Sequence, residues 1–384
     1  MHILWTVLLA GAAILWIVAA VELTPGLRAM PSLDDAVPLA DSECPAVSVL
    51  FAARDEAANL PGALATFLAL DYPRYEVVAV DDRSEDATGA ILESAACADA
   101  RLKAVRVDSL PSGWLGKPHA LQEAYEHSTG EWLVFTDADV HFAPGLLRRA
   151  LRVAQEQGWD HMPLLGAPKM FTAGEKIAMT FFGVALMAGT RPWSAMDPLS
   201  GGYAGVGAFQ LVRRSAYEKL GTHRRLAMEV IDDMKLGKLA KQAGVRSGIA
   251  KAGAAVSVHW HVGLGNLVRG TTKNFFAASR FKLRVAALHI FGMLVMCILP
   301  AMSLPFVHGW TRVVAAVAAG VPLVIAGAVA REFKISPAWA FTYPVGALIF
   351  VWMLTRSAIV TLWQGGIVWR GTFYPLEELK RGLV

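Results

Sequence analysis

The sequence predicts an α/β domain with a mostly parallel sheet, flanked by membrane-spanning helices. From about residue 46 to residue 262, short runs rich in β-branched residues alternate with helical patterns, which is typical of βαβ units. Two of the predicted strands end directly in aspartates. Outside this region lie four long apolar stretches, one near the first residue and three after residue 285.

The composition agrees with a chain that lies partly in a membrane. Hydrophobic residues make up 55% of the 384 residues and charged residues 18%, above and below the usual shares in soluble proteins. The net charge of +4 is modest, so we predict no nucleic-acid partner. The cysteines Cys44, Cys97 and Cys297 lie far apart, without metal-ligand spacing or any need for disulfides.

The first apolar stretch, from Ile3 to Val21, predicts a transmembrane anchor at residues 1–24. A cleaved signal peptide is the alternative, but only His2 precedes the stretch as a basic group, and no clear cleavage site ends it. Four prolines among small and acidic residues then predict a linker at residues 25–45.

Four strands separated by helices open the predicted domain. We expect the strands at 47–52, 75–80, 102–107 and 131–136, with helices ending near residues 70, 98 and 125. The carboxyl ends of parallel strands share one sheet edge, where open α/β sheets bind ligands. The acidic loops after the second and fourth strands should therefore lie together.

Asp137 and Asp139 follow the fourth strand, and an extended chain would point both to the same side. Two close carboxylates repel unless a cation lies between them, and oxygen ligands of this kind suit Mg²⁺ or Mn²⁺. Solvated loop or capping residues are the ordinary alternative for such a pair. Asp82, after the second strand, could likewise cap the next helix or belong to a shared polar site.

Four motifs, in order and spacing, resemble those of family 2 glycosyltransferases, which have the GT-A fold and use nucleotide-diphosphate sugars. They are Ala-Arg-Asp-Glu-Ala-Ala-Asn-Leu at 53–60, Val-Asp-Asp-Arg-Ser-Glu-Asp-Ala-Thr at 80–88, Gly-Lys-Pro-His-Ala-Leu at 116–121 and Phe-Thr-Asp-Ala-Asp-Val at 135–140. The flanking apolar segments also resemble the lipid-directed members, namely ceramide-glucosyltransferase-like, carotenoid-glycosylating and hopanoid-associated enzymes. The resemblance implies a GT-A domain at residues 46–262.

The resemblance also implies a donor site. Its nucleotide-sugar-binding residues would be Arg54, Glu56, Asp82, Lys117 and Asp137. Asp139, together with Asp137, would coordinate a Mg²⁺ or Mn²⁺ ion on the diphosphate. A departing diphosphate develops negative charge, which a divalent cation and Lys117 would stabilise. Without the motif, Lys117 could equally be a solvated surface lysine.

The catalytic base is expected in the stretch from Glu229 to Leu239. The family places a Glu-Asp pair before a leucine three residues beyond the aspartate. Here Asp232 replaces the glutamate, and Leu236 puts the base at Asp233. This aspartate would take the proton from the acceptor hydroxyl in a single displacement that inverts the anomeric configuration. Either aspartate could instead only cap the helix that follows.

A glycine-rich run at residues 201–209 predicts a wall of the acceptor pocket or, alternatively, a tight turn into a strand. Residues 263–285 predict one amphipathic helix on the membrane surface, with Arg269, Lys273, Arg280 and Arg284 within about 60° of one another. The ordinary positive charge beside a membrane entry is the alternative, and both place this helix at the cytoplasmic face. The acceptor-side residues are then expected to be Gly205, Val206, Gly207, Asp232, Arg269 and Lys273.

Residues 286–365 predict a carboxyl-terminal transmembrane bundle, followed by a tail at 366–384. A full crossing by the last apolar helix would put Arg370, Lys380 and Arg381 outside, against the usual charge bias. The helix is therefore re-entrant or broken, or the count of crossings is off by one. The segment Trp369-Arg370-Gly371 resembles a closing segment of the carotenoid- and hopanoid-related members, and its role does not follow from the sequence.

Together these features predict a metal-dependent, inverting glycosyltransferase, multi-pass in a bacterial inner membrane and with a cytoplasmic catalytic domain. It would move a sugar from a nucleotide-diphosphate sugar to a membrane lipid. A processive polysaccharide synthase is one alternative, against which the missing Gln-x-x-Arg-Trp motif counts. A catalytically silent, nucleotide-sugar-binding scaffold is the other. The sugar, nucleotide, lipid and oligomeric state do not follow from the sequence.

Overall fold

The computed structural model describes residues 2–384, which divide into two compact units. The sheet unit comprises Met30–Lys169, Pro192–His259 and Glu377–Val384. The helical unit comprises the residues up to Ala29 together with Met170–Arg191 and Trp260–Leu376.

Ten strands form one large sheet and one hairpin. They are β1 (Val47–Ala53), β2 (Tyr75–Asp82), β3 (Leu102–Val107), β4 (Trp132–Asp137), β5 (Val140–Phe142), β6 (His161–Pro168), β7 (Gln210–Arg213), β8 (Ala250–Val258), β9 (Gly366–Trp369) and β10 (Thr372–Pro375). The first eight form a sheet in the order β3-β2-β1-β4-β7-β6-β8-β5, and β9 pairs with β10.

The α-helices alternate with the early strands and dominate the second half of the chain. They are α1 (His2–Ala29), α2 (Leu60–Leu68), α3 (Thr88–Ala98), α4 (Gly116–Glu126), α5 (Leu146–Gln157), α6 (Ala173–Thr190), α7 (Arg214–Lys219), α8 (Asp232–Gln242), α9 (Leu264–Gly270), α10 (Thr272–Ala278), α11 (Leu283–Met293), α12 (Leu299–Ser303), α13 (Gly309–Glu332), α14 (Tyr343–Gln364) and α15 (Leu376–Arg381). A π-helical segment, Leu294–Ile298, joins α11 to α12.

The parallel part of the sheet confirms the predicted arrangement. β3, β2, β1 and β4 are neighbours and run parallel, while β7 and β5 pair antiparallel with their neighbours. Ala53 is in register with Asp81, and Ala52 with Asp137. The acidic ends of β2 and β4 therefore flank the end of β1, at one edge of the sheet.

Side chains that alternate along these strands enter two different cores. Val49 and Phe51 belong to the core that α2 and α5 cover, whereas Leu50, Val78 and Leu133 belong to the core on the opposite face. The second core also receives side chains from α4 and α8. Burial of both faces explains why the strands are continuous apolar runs.

The predicted anchor and linker boundaries differ from the structure. Helix α1 continues through Pro25 to Ala29. Beyond it, Leu33, Leu39 and Cys44 are almost fully buried in the core of the sheet unit. The prolines correctly indicated irregular backbone, but these three apolar side chains tie the segment to the sheet, so residues 30–45 are not a free linker.

The predicted domain at 46–262 is interrupted by a helix that packs elsewhere. Residues 170–191, which contain α6, belong to the helical unit. Phe181 of α6 packs against Tyr343 and Phe350 of α14, with ring centroids 5.2 and 4.9 Å apart. Arg191 forms an ion pair with Glu22 of α1 at 3.0 Å. These contacts join residues far apart in the sequence, which is why strand-and-helix patterning could not assign α6 to this unit.

Four helices of the helical unit are long and apolar enough to cross a membrane, in agreement with the four predicted stretches. They are Ile3–Ala29, Leu283–Ser303, Gly309–Glu332 and Pro337–Gln364. Ala12 and Ala13 of α1 pack against Ala318 of α13. The indole N–H of Trp16 donates to the carbonyl of Met296 at 2.9 Å.

The predicted single helix at 263–285 is wrong. The structure has three helices there, because α9 ends at Gly270, α10 ends at Ala278 and α11 begins at Leu283. Arg280 and Phe281 adopt left-handed backbone conformations, with φ of 55° and 53°. The turn buries Phe281 inside the unit, and the predicted four-residue basic stripe therefore does not form.

The predicted tail at 366–384 is folded. β9 and β10 form an antiparallel hairpin, and α15 follows directly. Leu379 is fully buried, and Lys235 and Lys238 of α8 each donate to the carbonyl of Val384 at 2.9 Å. Short runs of β-branched and aromatic residues on either side of Arg370-Gly371 were the signal for the hairpin.

Candidate active site

Hydrogen bonds join the loop after β1 to the loop after β2. The N–H of Glu56 donates to the hydroxyl of Thr88 at 2.8 Å, and the N–H of Glu85 donates to the carboxylate of Asp55 at 2.9 Å. Asp55 has a left-handed conformation, with φ of 52°. These bonds hold Arg54 and Glu56 beside the end of β2, as predicted for one shared edge.

Asp82 is buried at this edge and accepts two hydrogen bonds from the guanidinium of Arg83, at 2.7 and 3.1 Å. It does not cap α3, because that helix begins at Thr88, so the capping alternative is wrong. A Cβ at Gly116 would collide with the Asp82 carboxylate. Glycine therefore allows the first turn of α4 to approach Asp82, which brings Lys117 to the same edge.

Lys117 lies among three aspartates. Its ammonium is 2.6 Å from Asp137 Oδ1 and 3.8 Å from Asp232 Oδ2. Burial alone would lower the pKa of Lys117, but Asp137, Asp232 and Asp233 together raise it above its ordinary value. The group is therefore a cation at neutral pH, and the solvated-surface alternative is wrong.

Asp232 and Asp233 form the first turn of α8. Asp233 Oδ1 accepts a hydrogen bond from the N–H of Met234 at 2.8 Å, and the helix dipole favours a negative charge there. A Cβ at Gly207 would lie 2.9 Å from Asp137 Oδ2 and 3.2 Å from Asp233 Oδ2. The two carboxylates therefore converge over this glycine. The predicted metal-side and base residues thus belong to one site.

The glycine-rich run before β7 packs against α8. A Cβ at Gly205 would lie 2.6 Å from the carbonyl carbon of Asp233, and a Cβ at Gly237 would collide with the carbonyl of Ala204. Val206 is only half-buried in the same loop. Gly205 therefore allows the run to pack closely against α8, whereas Gly207 lies directly at the carboxylates. That the run forms a wall of the acceptor pocket stays a prediction.

Asp139 occupies the turn after β4. Burial raises its pKa to about 7, and the negative charges of Asp137 and Glu56 add to the shift. Carboxylates crowded in this way fit a divalent cation such as Mg²⁺ or Mn²⁺. Within residues 2–384 no three His, Cys, Asp or Glu side chains form a ready-made metal cluster. Asp137 and Asp139 would therefore supply only part of the ligand shell.

A buried amide behind the site was not predicted. Gln210 donates from Nε2 to the carbonyl of Asp233 at 3.1 Å, and its Oε1 lies 2.9 Å from His161 Nε2. Burial lowers the pKa of His161 to about 4, so the ring is neutral and its Nε2–H donates to Gln210. The amide thus connects β6 and β7 to the start of α8. A polar residue opening the apolar β7 was the only signal in the sequence.

Two predicted acceptor-side residues lie in the helical unit. Arg269 donates to the side chain of Asn266 at 2.7 Å. Lys273 donates to Asn274 at 3.0 Å, and its ammonium lies 3.8 Å from the ring centroid of Trp369. The acceptor-side role of Arg269 and Lys273 stays a prediction.

Comparison with known proteins shows which family part of this site is similar to. Residues 48–161 match the model of the family described as Glycosyl transferase family 2. A Beta-monoglucosyldiacylglycerol synthase of Synechocystis sp. is 32% identical over 162 residues, which cover 38% of this chain and 33% of that protein. A 4,4'-diaponeurosporenoate glycosyltransferase of Staphylococcus haemolyticus is 24% identical over 231 residues, which cover 59% of this chain and 60% of that protein. The chain therefore spans a third of the first relative and three fifths of the second.

The fold is similar to that of a solved glycosyltransferase. The mannosyltransferase PcManGT from Pyrobaculum calidifontis, in complex with GDP-Man and Mn²⁺, superposes with a TM-score of 0.53 at 22% sequence identity. The match covers 93% of this chain and 99% of that chain, and at this identity it shows the fold alone. Residues 48–161 therefore match the family 2 glycosyl transferase model, and the chain has a fold of the GT-A type.

Proposed function

We propose that the chain is an inverting, metal-dependent glycosyltransferase that moves a sugar from a nucleotide-diphosphate sugar to a membrane-lipid acceptor. The observation that supports this function is the convergence of Lys117, Asp137 and Asp233 beside Gly207, at the carboxyl edge of a family 2 domain. The two relatives are named as a monoglucosyldiacylglycerol synthase and a diaponeurosporenoate glycosyltransferase, which supports an apolar acceptor.

The donor side of the proposed reaction uses the groups at the ends of β1, β2 and β4. Arg54, Glu56 and Asp82 would bind the nucleoside, with Asp82 at the base. The ammonium of Lys117 would move from its carboxylate partners to the diphosphate, whose charge rises as the glycosidic bond breaks. A divalent cation held by Asp137 and Asp139 would neutralise part of that charge.

The acceptor side uses the first turn of α8. Asp233 would accept the proton of the acceptor hydroxyl while that oxygen attacks the anomeric carbon. Gln210 donates a hydrogen bond to the backbone of Asp233, and the absence of a side chain at Gly205 lets the glycine-rich run at residues 201–209 lie close to that backbone. One displacement without a covalent intermediate inverts the anomeric configuration.

We propose a bacterial inner-membrane protein whose sheet unit lies on the cytoplasmic side. Basic residues from 269 to 284, together with Arg331 and Lys334, support this side. The chain leaves the sheet unit at residue 260 and returns to it at residue 377, which requires an even number of crossings between them. Three apolar helices lie in that interval, so we infer that one of them does not cross the membrane fully.

The function is tested with purified protein in nanodiscs, a panel of labelled nucleotide sugars and a bacterial lipid extract. We expect a labelled glycolipid, identified by mass spectrometry, with an anomeric configuration opposite to that of the donor. EDTA should abolish the transfer and Mg²⁺ or Mn²⁺ should restore it. A long polymer would indicate a processive synthase instead, and tight nucleotide-sugar binding without turnover would indicate a silent scaffold.

Matched variants test the residues. Asp139→Asn should lose the metal-dependent turnover, and Asp233→Asn should lose transfer while still binding the donor. Glu93→Gln, an exposed change on α3, serves as the control and should behave as the wild type. Full metal-dependent activity of Asp139→Asn would refute the metal assignment.

A further inference from the structure

We propose that the hairpin β9–β10 is a membrane-interface element whose outer face lies among the headgroups of anionic lipids. The hairpin contains the Trp369-Arg370-Gly371 segment, to which the catalytic reaction assigns no role. The proposal concerns the contact between the chain and the bilayer surface, so it does not depend on the sugar-transfer reaction.

The hairpin has two different faces. Ile367 and Tyr374 are cross-strand partners, and both are buried against the protein. Val368 and Phe373 are partners on the opposite face, where they are 53% and 49% exposed. A Cβ at Gly366 would lie 2.8 Å from the Phe373 ring, so glycine leaves room for this ring beside the strand. The outer face is therefore apolar and uncovered.

The position of the hairpin in the chain indicates that lipid covers this face. It follows directly on α14, an apolar helix whose last turn carries Trp363, 85% exposed. After the hairpin, residues 377–384 fold into the sheet unit. The hairpin therefore joins a membrane helix to a folded unit outside the membrane, which places it at the boundary between lipid and water. Aromatic and apolar side chains are favourable there and costly in water.

The turn adds a cation to the apolar face. Arg370 and Gly371 both have positive φ, of 48° and 76°, as a two-residue hairpin turn requires. Asparagine or glycine usually occupies the first of these positions, so an arginine there is uncommon. The ammonium of Lys273 lies 3.8 Å from the ring centroid of Trp369, which adds a second positive charge at this end of the hairpin.

The charge balance of the segment that contains the hairpin favours an anionic partner. From residue 260 to residue 376 the sequence has ten lysines and arginines, and Glu332 is the one acidic residue. Phosphate groups of anionic lipids complement this excess, and each basic residue near such a surface strengthens its attraction about fivefold. Apolar side chains flanked by basic groups are the pattern of an interfacial membrane element.

A fluorescent probe on the outer face tests the proposal in the full-length protein. Phe373→Cys is made in a Cys97→Ser background, labelled with bimane and placed in nanodiscs that carry brominated lipid. We expect blue-shifted emission that the brominated lipid quenches and aqueous iodide does not. The matched control is Leu199→Cys, 96% exposed in the sheet unit, whose bimane should be quenched by iodide. Labelling of Cys97→Ser alone gives the background from Cys44 and Cys297.

The charge requirement is tested in the same labelled protein. Lipid quenching should be stronger in discs with one third phosphatidylglycerol than in phosphatidylcholine alone, and Arg370→Gln should reduce this preference about fivefold. The thermal unfolding midpoint of each variant checks that the fold is intact. Iodide quenching at position 373 in both disc types would overturn the proposal, as would a preference for anionic lipid that Arg370→Gln leaves unchanged.

Discussion

Gly207→Ala tests whether the carboxylates of Asp137 and Asp233 act as one site. The added Cβ would lie 2.9 Å from one carboxylate oxygen and 3.2 Å from the other, both closer than ordinary van der Waals contact. Each carboxylate must therefore move by a few tenths of an ångström. Asp137 is also held by Lys117 at 2.6 Å, so its movement disturbs that ion pair.

We expect Gly207→Ala to lower the catalytic rate rather than the stability of the fold. A misplacement of about 1 Å costs about 100-fold in rate, so we expect kcat to fall about fivefold to tenfold. The free energy of unfolding should change by less than about 1 kcal/mol, because alanine lowers the entropy of the unfolded chain while the contact strains the fold. The assay is transfer of labelled sugar to lipid, together with chemical denaturation of the same preparation.

A second alanine in the same run provides the control. A Cβ at Gly201 would meet nothing within 4 Å, so Gly201→Ala should keep the wild-type kcat. Gly205→Ala should cost about 1–3 kcal/mol of stability, because its Cβ meets the backbone of Asp233, which cannot rotate away. Equal kcat for Gly207→Ala and Gly201→Ala would refute the convergence of the two carboxylates.

Three further predictions concern titration and buried hydrogen bonds. The pKa of Asp139 is about 7 in the folded protein, against an ordinary value of 3.8. Metal-free protein should therefore lose stability as the pH rises from about 4 to 7, by at most about 4 kcal/mol. Denaturation of Asp139→Asn in EDTA should lack this loss. Burial alone would raise the pKa of Glu175, but backbone N–H donors lower it to about 2. The stability that the Glu175 carboxylate contributes is therefore complete above pH 4.5 and is lost as the pH falls through 2. Glu175→Gln should lower the free energy of unfolding at pH 7 by about 1–3 kcal/mol. Gln210→Leu removes the side-chain partner of the His161 ring and of the Asp233 carbonyl, so kcat should fall with little change in the donor KM. The number of donor-binding sites per protein should stay at the wild-type value, whereas a fall in that number by the same factor as kcat would indicate lost folding instead.

Strand patterning predicted the part of the fold that depends on local sequence. The four parallel strands and the shared edge for Asp82 and Asp137 follow from apolar runs that end in aspartates. The approach of Lys117 to that edge also followed from a motif, whose glycine the structure explains by the contact of Gly116 with Asp82.

Local patterns in the sequence could not predict contacts between residues far apart in the chain. Helix α6 has an apolar composition that fits either unit, and long-range contacts such as the packing of Phe181 on Tyr343 assign it. The predicted helix at 263–285 had a consistent basic stripe. The chain instead turns at Arg280 and Phe281, where Phe281 is buried, and this turn interrupts the helix. The support of Asp233 by Gln210 spans 23 residues and has no periodic signature.

Transfer of labelled sugar from a nucleotide donor to lipid by Asp233→Asn, beside wild type and Glu93→Gln, decides whether the first turn of α8 carries the chemistry. The predicted result is a loss of about 100-fold to 10,000-fold for Asp233→Asn, with donor binding retained and Glu93→Gln fully active. Wild-type transfer by Asp233→Asn would contradict the assignment of the base and, with it, the site proposed for this protein.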